Sequence, residues 1–367
     1  MRIALVVPGG VDRSGDNRVI PALLALISRL SVHHDLQVFA LHQEAQPGEW
    51  DLAGAHIRNI GTRRPILLRT VRGIRAVHRS RPFDIVHAIW SGWGGLAAVA
   101  AAKTLGIPSL IHIGGGELVS IPQIGYGGSR RWYGRLREAL TLRAASAVTA
   151  ASAPVIERLS ELGVAAQRVP LGLDLTAWPP RDPVRRDPGR PAKLIHVASL
   201  NRVKDQTTLL RALASLSQSG MDFEMDVVGQ DTLNGEMQRL CAQLGLSERV
   251  RFRGFMTQRQ LRPVVEQTHL MVHSSRHETG PLVMLEAALA GVPTVGTAVG
   301  HIREWSPDAA VAVPVGDWAR LAEAIARILE DEELRLRIAR AAQQRALRED
   351  ADYTAGCFQA LYMKLCR

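Results

Sequence analysis

Glu278 and Glu286 are the residues whose types and spacing point most directly to chemistry. They lie in the stretch His273-Ser-Ser-Arg-His-Glu-Thr-Gly-Pro-Leu-Val-Met-Leu-Glu-Ala-Ala-Leu-Ala-Gly-Val-Pro-Thr-Val-Gly-Thr297, with seven residues between them. The first falls in a polar loop that ends an apolar strand, Leu270–Val272, and the second falls in the helix that follows. Their offset is close to two helical turns, so both carboxylates can look in roughly the same direction. Gly280-Pro281 opens the helix, and a helix N-terminus is a ready anion site. Two acids beside an anion site suit a ligand with hydroxyls at both ends and phosphate in the middle, which describes a nucleotide sugar.

The elements that must position these acids are short apolar strands alternating with helical stretches, the pattern of doubly wound parallel sheets. In the first half the strands read Ile3–Val7, Leu36–Leu41, Ile57–Ile60, Ile85–Ile89, Ser109–Ile113 and Ala147–Ala150. Helices are expected at Asn17–Leu30, Leu67–His78, Gly94–Leu105 and Ser129–Ala144. The Pro- and charge-rich run Trp178–Pro191 has no periodicity and reads as a linker. A second α/β set follows from Leu194 to Ala290, then a helical run over Ala319–Leu347 and an amphipathic stretch, Tyr353–Leu365. The expected domains are residues 1–175 and 192–349, with 176–191 as linker. Ligands of such folds bind where strand C-termini meet helix N-termini, here in a cleft between two domains.

Other stretches carry candidate chemistry. Val197–Asp205 ends a strand and starts a helix, and its Arg202 and Lys204 suit a diphosphate. Arg202 reads equally as a solvated helix-start residue. Gly9-Gly10 follows the first strand, where a glycine loop lets backbone approach a pyrophosphate or sugar, or simply turns. Gly-x-Gly-x-x-Gly is absent, which sets a dinucleotide fingerprint aside. Trp90 and Trp93 stand at a strand end, placed either to stack on an acceptor or to pack in the core. Arg69, Arg72, Arg75 and Arg79 recur at helical spacing opposite Leu68, Val71, Ile74 and Val77. That helix is either a solvated basic face or a peripheral membrane contact. Arg130, Arg131, Arg135 and Arg137 form a second basic cluster.

Composition narrows the class. A chain of 367 residues suits two domains, each able to bury a core. No apolar run reaches the ~18 residues of a spanning helix, and the N-terminal apolar stretch reads as a strand, too short for a secretory signal. Cys241, Cys357 and Cys366 form neither a metal spacing nor an even disulfide set, so a reducing cytoplasm is the simplest setting. Up to Trp178 there are 20 Lys/Arg against 12 Asp/Glu, and beyond it 25 against 23. The basicity thus belongs to the first half and suits an anionic acceptor or an anionic membrane face. Nucleic acid is disfavoured: no such motif appears and aromatics are 5%.

The Glu-x7-Glu loop and helix, with Leu-Glu-Ala-Ala-Leu-Ala-Gly-Val-Pro leading into a new strand, resembles the signature of retaining glycosyltransferases of family 4 with the GT-B fold, a Glu-x7-Glu loop and helix followed by Ala-x-Gly-x-Pro-Val. The resemblance covers essentially the whole chain. It implies two Rossmann-like doubly wound domains facing a central cleft, with a terminal helix, residues 350–367, crossing back to the first. It also implies a hexose-type sugar moved from a UDP-, GDP- or ADP-linked donor to a saccharide or polyprenyl-linked acceptor. No metal and no cofactor are called for. Lys204 matches the family's phosphate-binding lysine, while Ser199 stands in the usual arginine slot and Asp205 in the usual glycine slot. Asn201 and Arg202 are placed to compensate. Glu278 would meet the transferred sugar, Glu286 the ribose hydroxyls, and backbone around Gly280, Leu282 and Val283 the diphosphate. Gly9-Gly10 resembles the family's glycine loop. In Pro108–Leu118, which resembles the strand and loop carrying an active-site histidine, Gly114 fills the histidine slot. His112 lies two residues earlier, and Glu117 matches the family acid. Pro170–Asp174 resembles the start of the crossing between domains, and Val228–Asp231 the loop lining the base pocket. The alternatives are a catalytically silent nucleotide-sugar-binding scaffold of the same fold, or another GT-B-like enzyme.

Overall fold

A computed structural model describes residues 1–367, which divide into two compact units. The first comprises Met1–Asp174 with Glu349–Arg367, and the second Leu175–Arg348.

The first unit is built on eight strands: β1 (Arg2–Val7), β2 (Asp35–Ala40), β3 (Gly48–Leu52), β4 (Ala55–Asn59), β5 (Ile85–Ile89), β6 (Ser109–Ile113), β7 (Ala147–Ala150) and β8 (Gln167–Arg168). Their order is β3-β4-β2-β1-β5-β6-β7-β8, and β3 alone runs antiparallel to its neighbour. Helices cover both faces, so the central strands are buried along nearly their whole length, as their unbroken apolar runs require. Strand β3 escapes the sequence reading because it is an edge strand without an apolar run. The helix expected over Asn17–Leu30 starts instead at Pro21, whose fixed φ suits a first helical position. The residues before it are held by a bridge between Val11 and Val19.

The C-terminal helix Ala351–Leu365 belongs to this unit and packs beside helix Pro21–His33. Phe358 and Tyr362 are fully buried, and the Tyr362 hydroxyl lies 2.7 Å from His87 Nδ1 on β5. Burying such side chains contributes about 2–3 kcal/mol each.

The second unit has six parallel strands: β9 (Ala192–Val197), β10 (Phe223–Val228), β11 (Val250–Gly254), β12 (Leu270–His273), β13 (Thr294–Thr297) and β14 (Val311–Val313). Their order, β11-β10-β9-β12-β13-β14, reverses direction between β9 and β12. That reversal opens a crevice at the strands' C-terminal ends, the usual ligand position in such sheets. The loops after β9 and β12 leave side by side there. Residues 176–191, expected as a linker, lack regular structure but are tied along this unit. Arg181 N donates to Leu289 O (2.8 Å), Arg186 N to Glu332 (2.8 Å), and the buried Arg335 to Val184 O (2.6 Å).

Candidate active site

Glu278 sits in the loop after β12, with its side chain 13% exposed. Its Oε1 accepts from Lys204 Nζ at 2.5 Å, from Ser275 Oγ at 2.6 Å and from His273 Nε2 at 3.0 Å. Ser275 spends its one proton on Glu278, so in its 2.9 Å contact with His273 Nε2 the imidazole is the donor. His273 therefore carries its hydrogen on Nε2. Burial pushes the Glu278 carboxyl up, but the Lys204 ammonium and the His273 hydrogen bond outweigh it and hold Glu278 below the usual carboxylate range.

Lys204 is aimed by its own loop. Asp205, next in the chain, has φ 49°, a left-handed conformation that Asp tolerates better than most residues. It is buried, accepts from Arg276 Nε at 3.0 Å and from Thr208 Oγ1 at 3.0 Å, and so bears the backbone turn. Arg276 N donates to Val203 O (2.7 Å) and Ser274 Oγ to Lys204 O (2.9 Å), which staples the β9 loop to the β12 loop. Below them, neutral His196 donates from Nδ1 to Val272 O (2.9 Å); burial drops its pKa to about 3.

Glu286 lies in helix Leu282–Leu289 and is buried. Its Oε1 accepts from Gln258 Nε2 at 2.5 Å, whereas Oε2 has no partner. Trp178 Nε1 donates to Gln258 Oε1. An indole can only donate, so Trp178 turns the Gln258 amide to present its NH2 to Glu286. Burial raises the Glu286 pKa to about 7, with the Gln258 hydrogen bond opposing. The first amides of this helix, Leu282 and Val283, have no acceptor within the helix.

In the first unit a cavity of about 480 Å³ is lined by Trp90, Trp93, Tyr126, Glu117, Arg137 and the glycine loop 115–116, among others. Glu117 is buried; Oε1 accepts from Ser91 N (3.2 Å) and Oε2 from Gly115 N (2.8 Å). Burial, then the nearby Glu138 charge, raises its pKa to about 7. The glycines are there for space: a Cβ on Gly114 would stand 3.1 Å from Trp90 Nε1, and one on Gly116 2.5 Å from the Tyr126 hydroxyl. Trp90 itself has φ 69°, rare for a bulky residue. Arg137 lies over the Trp93 ring, 5.3 Å from its centroid.

Two family models match this chain. The model described as "Glycosyl transferase 4-like domain" covers residues 18–172, and that described as "Glycosyl transferases group 1" covers 182–345. The chain belongs to the group 1 glycosyltransferases. A curated relative, D-inositol 3-phosphate glycosyltransferase 1 of Catenulispora acidiphila, is 28% identical over 359 residues, 89% of this chain and 85% of that protein. For three other curated relatives the match spans only 45%, 38% and 37% of their length. Sucrose-phosphate synthase of Thermosynechococcus elongatus superposes with a TM-score of 0.83 at 19% identity, covering 100% of this chain and 99% of that one. HepE of Anabaena, solved with UDP-glucose, gives 0.75 at 20% identity, covering 100% of both chains. These likenesses show the GT-B fold.

Within this chain several expected positions take other partners. Gly10 N and Val11 N donate to the buried Gln43 Oε1, at 2.7 and 3.0 Å, so the Gly9-Gly10 loop does not offer the Gly10 amide to a phosphate. Arg202 forms a two-pronged pair with Glu236, both bonds at 2.7 Å. Asn201 Oδ1 is taken up by the amides of Val203 and Lys204, each at 3.1 Å, which makes it a turn residue. Ser199 is exposed, and its carbonyl accepts from Gln206. His112 is buried on β6 beside Thr149 and Phe358, away from the cavity lining, so it is a core residue. Gly114 packs under Trp90, whose indole occupies the space a side chain there would need. Sequence reasoning missed Gln43, Tyr126, Trp178, Gln258 and the hydrogen-bonding roles of His273 and Ser275. Each acts across a distance in the chain or through a loop without a motif, so no spacing signals it.

Proposed function

We propose that this protein is a metal-independent retaining hexosyltransferase, taking sugar from a nucleotide donor held by the second unit. The observation that carries the reading is the pairing, at one switch point of the sheet, of Lys204–Glu278 with a buried Glu286 that has an unpartnered oxygen. An orphaned buried carboxylate oxygen is costly unless a ligand satisfies it, and ribose hydroxyls are fitting donors. Lys204 and the Leu282–Val283 amides would neutralise the departing diphosphate, the electrostatic term expected to dominate. Glu278 would accept from hydroxyls of the transferred sugar. The bond from anomeric carbon to phosphate oxygen breaks, a bond to the acceptor oxygen forms on the same face, and the acceptor proton passes to the departing phosphate.

The cavity beside Trp90 and Trp93 would receive the acceptor, with sugar faces stacked on the indoles. Glu117, both of whose oxygens hold backbone amides, would act as a positioning group for the glycine loop. HepE's complex with UDP-glucose makes UDP the first nucleotide to try. We place the reaction in cell-surface polysaccharide or glycolipid synthesis at the cytoplasmic face of an anionic membrane, which the basic first unit suits. Calorimetric titration with UDP, GDP and ADP, on the natural protein and on Glu286→Ala, tests the donor site. One nucleotide binding tightly, and lost in the variant, supports it. No binding by any of them would overturn the donor site, and nucleotide binding without any turnover of a donor sugar would favour a silent scaffold.

A further inference from the structure

Helix Trp132–Ala144 in the first unit is partly inside out. It buries Gly134, Glu138, Thr141 and Leu142. It leaves Trp132 69%, Tyr133 47%, Leu136 51% and Leu140 55% exposed. Positions 132, 136 and 140 follow one another at single-turn spacing, with 133 beside them, so these four large apolar side chains form one outward stripe. The interior is polar because it serves the cavity: Glu138 accepts from Ser91 Oγ and, at 2.8 and 2.9 Å, from Arg137. Close packing against Gly128 O leaves no room for a Cβ at Gly134.

Arg130, Arg131, Arg135 and Arg143 are exposed around the stripe. Between Glu117 and Glu157 the sole acid is Glu138, and it is buried. The helix Ile66–Ser80 differs. Its Ile74 and Val77 are spent on the core, leaving its arginines as an ordinary solvated face. No helix of the chain is long and apolar enough to cross a membrane.

We infer that helix Trp132–Ala144 docks this protein on the surface of an anionic lipid bilayer. Its indole, phenol and leucine side chains sit in the headgroup boundary while its arginines meet lipid phosphates. Trp and Tyr favour that boundary, being apolar bodies with a polar tip. A second copy of the chain is the poorer occupant, since a two-fold contact would set arginines against arginines. Gly127, Gly128 and Arg137, at and before this helix, also line the cavity. A lipid-linked acceptor would therefore reach Trp90 and Trp93 directly from the docked face. That last point alone rests on the proposed activity.

The test is co-sedimentation with phosphatidylcholine vesicles, with and without phosphatidylglycerol. The natural protein is compared with Trp132→Ser/Leu136→Ser/Leu140→Ser and with Arg130→Gln/Arg131→Gln/Arg135→Gln. The natural protein should bind the anionic vesicles, less so at high salt. The serine variant should partition about tenfold more weakly or worse, and the glutamine variant should lose its preference for phosphatidylglycerol. UDP titration and circular dichroism should not change in either. No binding by the natural protein, or equal binding by the serine variant, overturns the proposal. So does a dimer in sedimentation velocity that the serine variant abolishes. Loss of nucleotide binding in the natural protein would sink the transferase reading and leave the vesicle result standing.

Discussion

Lys204 Nζ stands 2.5 Å from Glu278 Oε1, so the cation expected to meet a diphosphate is held, in the protein alone, by the acid expected to meet the sugar. The pair holds the two groups aligned before any donor arrives. It also means that a bound diphosphate competes with Glu278 for the ammonium.

Removing that competitor should help the nucleotide and harm the reaction. Glu278→Gln is expected to bind UDP as well as the natural protein or up to a few-fold tighter, while turnover falls by about 100-fold. Calorimetry and a donor-consumption assay read the two effects separately. Weakened UDP binding with normal turnover would reverse the assignment.

Lys204→Ala leaves Glu278 without its cation. The folded-state pKa of Glu278 is depressed, so its ionisation contributes stability above the unfolded value near 4.5. That contribution disappears as pH falls. Lys204→Ala should therefore cost about 1–3 kcal/mol at pH 7, with the gap from the natural protein closing below pH 4.5. Urea unfolding at pH 7 and pH 4 checks the sign.

Glu286 should make nucleotide binding depend on pH. Its pKa of about 7 in the free protein means that ribose hydroxyls bind best once it is ionised. Affinity should fall by up to tenfold per unit below pH 7, and Glu286→Ala should be weak and flat. The same raised pKa makes Glu286 stabilising below pH 4.5, a contribution lost as pH rises through about 7. Glu286→Gln should then melt higher than the natural protein at pH 8 and no higher at pH 4.

Gln258 should matter through Glu286. Gln258→Leu removes the amide between Trp178 and Glu286, which should weaken UDP binding by roughly 1–2 kcal/mol. It should also move the pH midpoint of binding upward, because burial of Glu286 is then less opposed. A purely structural role would lower the melting temperature and leave that midpoint where it is.

Gly114→His, which writes the family's histidine into this chain, should not raise activity. Its Cβ meets Trp90 Nε1 at 3.1 Å, so the indole must give way by a few tenths of an ångström to admit it. The expected result is altered tryptophan fluorescence with turnover equal or lower. A gain in turnover with an unmoved indole would show that the slot is open after all.

Much of the fold was legible because parallel strands covered on both faces must be apolar along their length. That signature located β1, β5, β6, β9 and β12. Strand β3 carries no such signal, being half exposed at an edge. Glu278, Lys204 and Glu286 were legible because they lie on one loop-and-helix pattern and at one helix start. Their supports were not. Gln258 lies 28 residues from Glu286, and Trp178 comes from a run whose prolines read only as a break. The Gly9-Gly10 loop reads as a phosphate cradle, and nothing nearby in sequence announces that Gln43 takes up the Gly10 and Val11 amides.

The first unit closes with residues from two stretches far apart in the sequence, since His87 and Phe358 meet only after the helix Ala351–Leu365 is made. On the ribosome, Leu175–Arg348 can complete its own core while the N-terminal half still lacks a helix. The N-terminal sheet must therefore wait, with the bed for Phe358 and Tyr362 uncovered, until the helix Ala351–Leu365 has been made. A chain stalled or clipped before Ala351 would keep a finished second unit but expose a sticky, unfinished first one to chaperones and proteases.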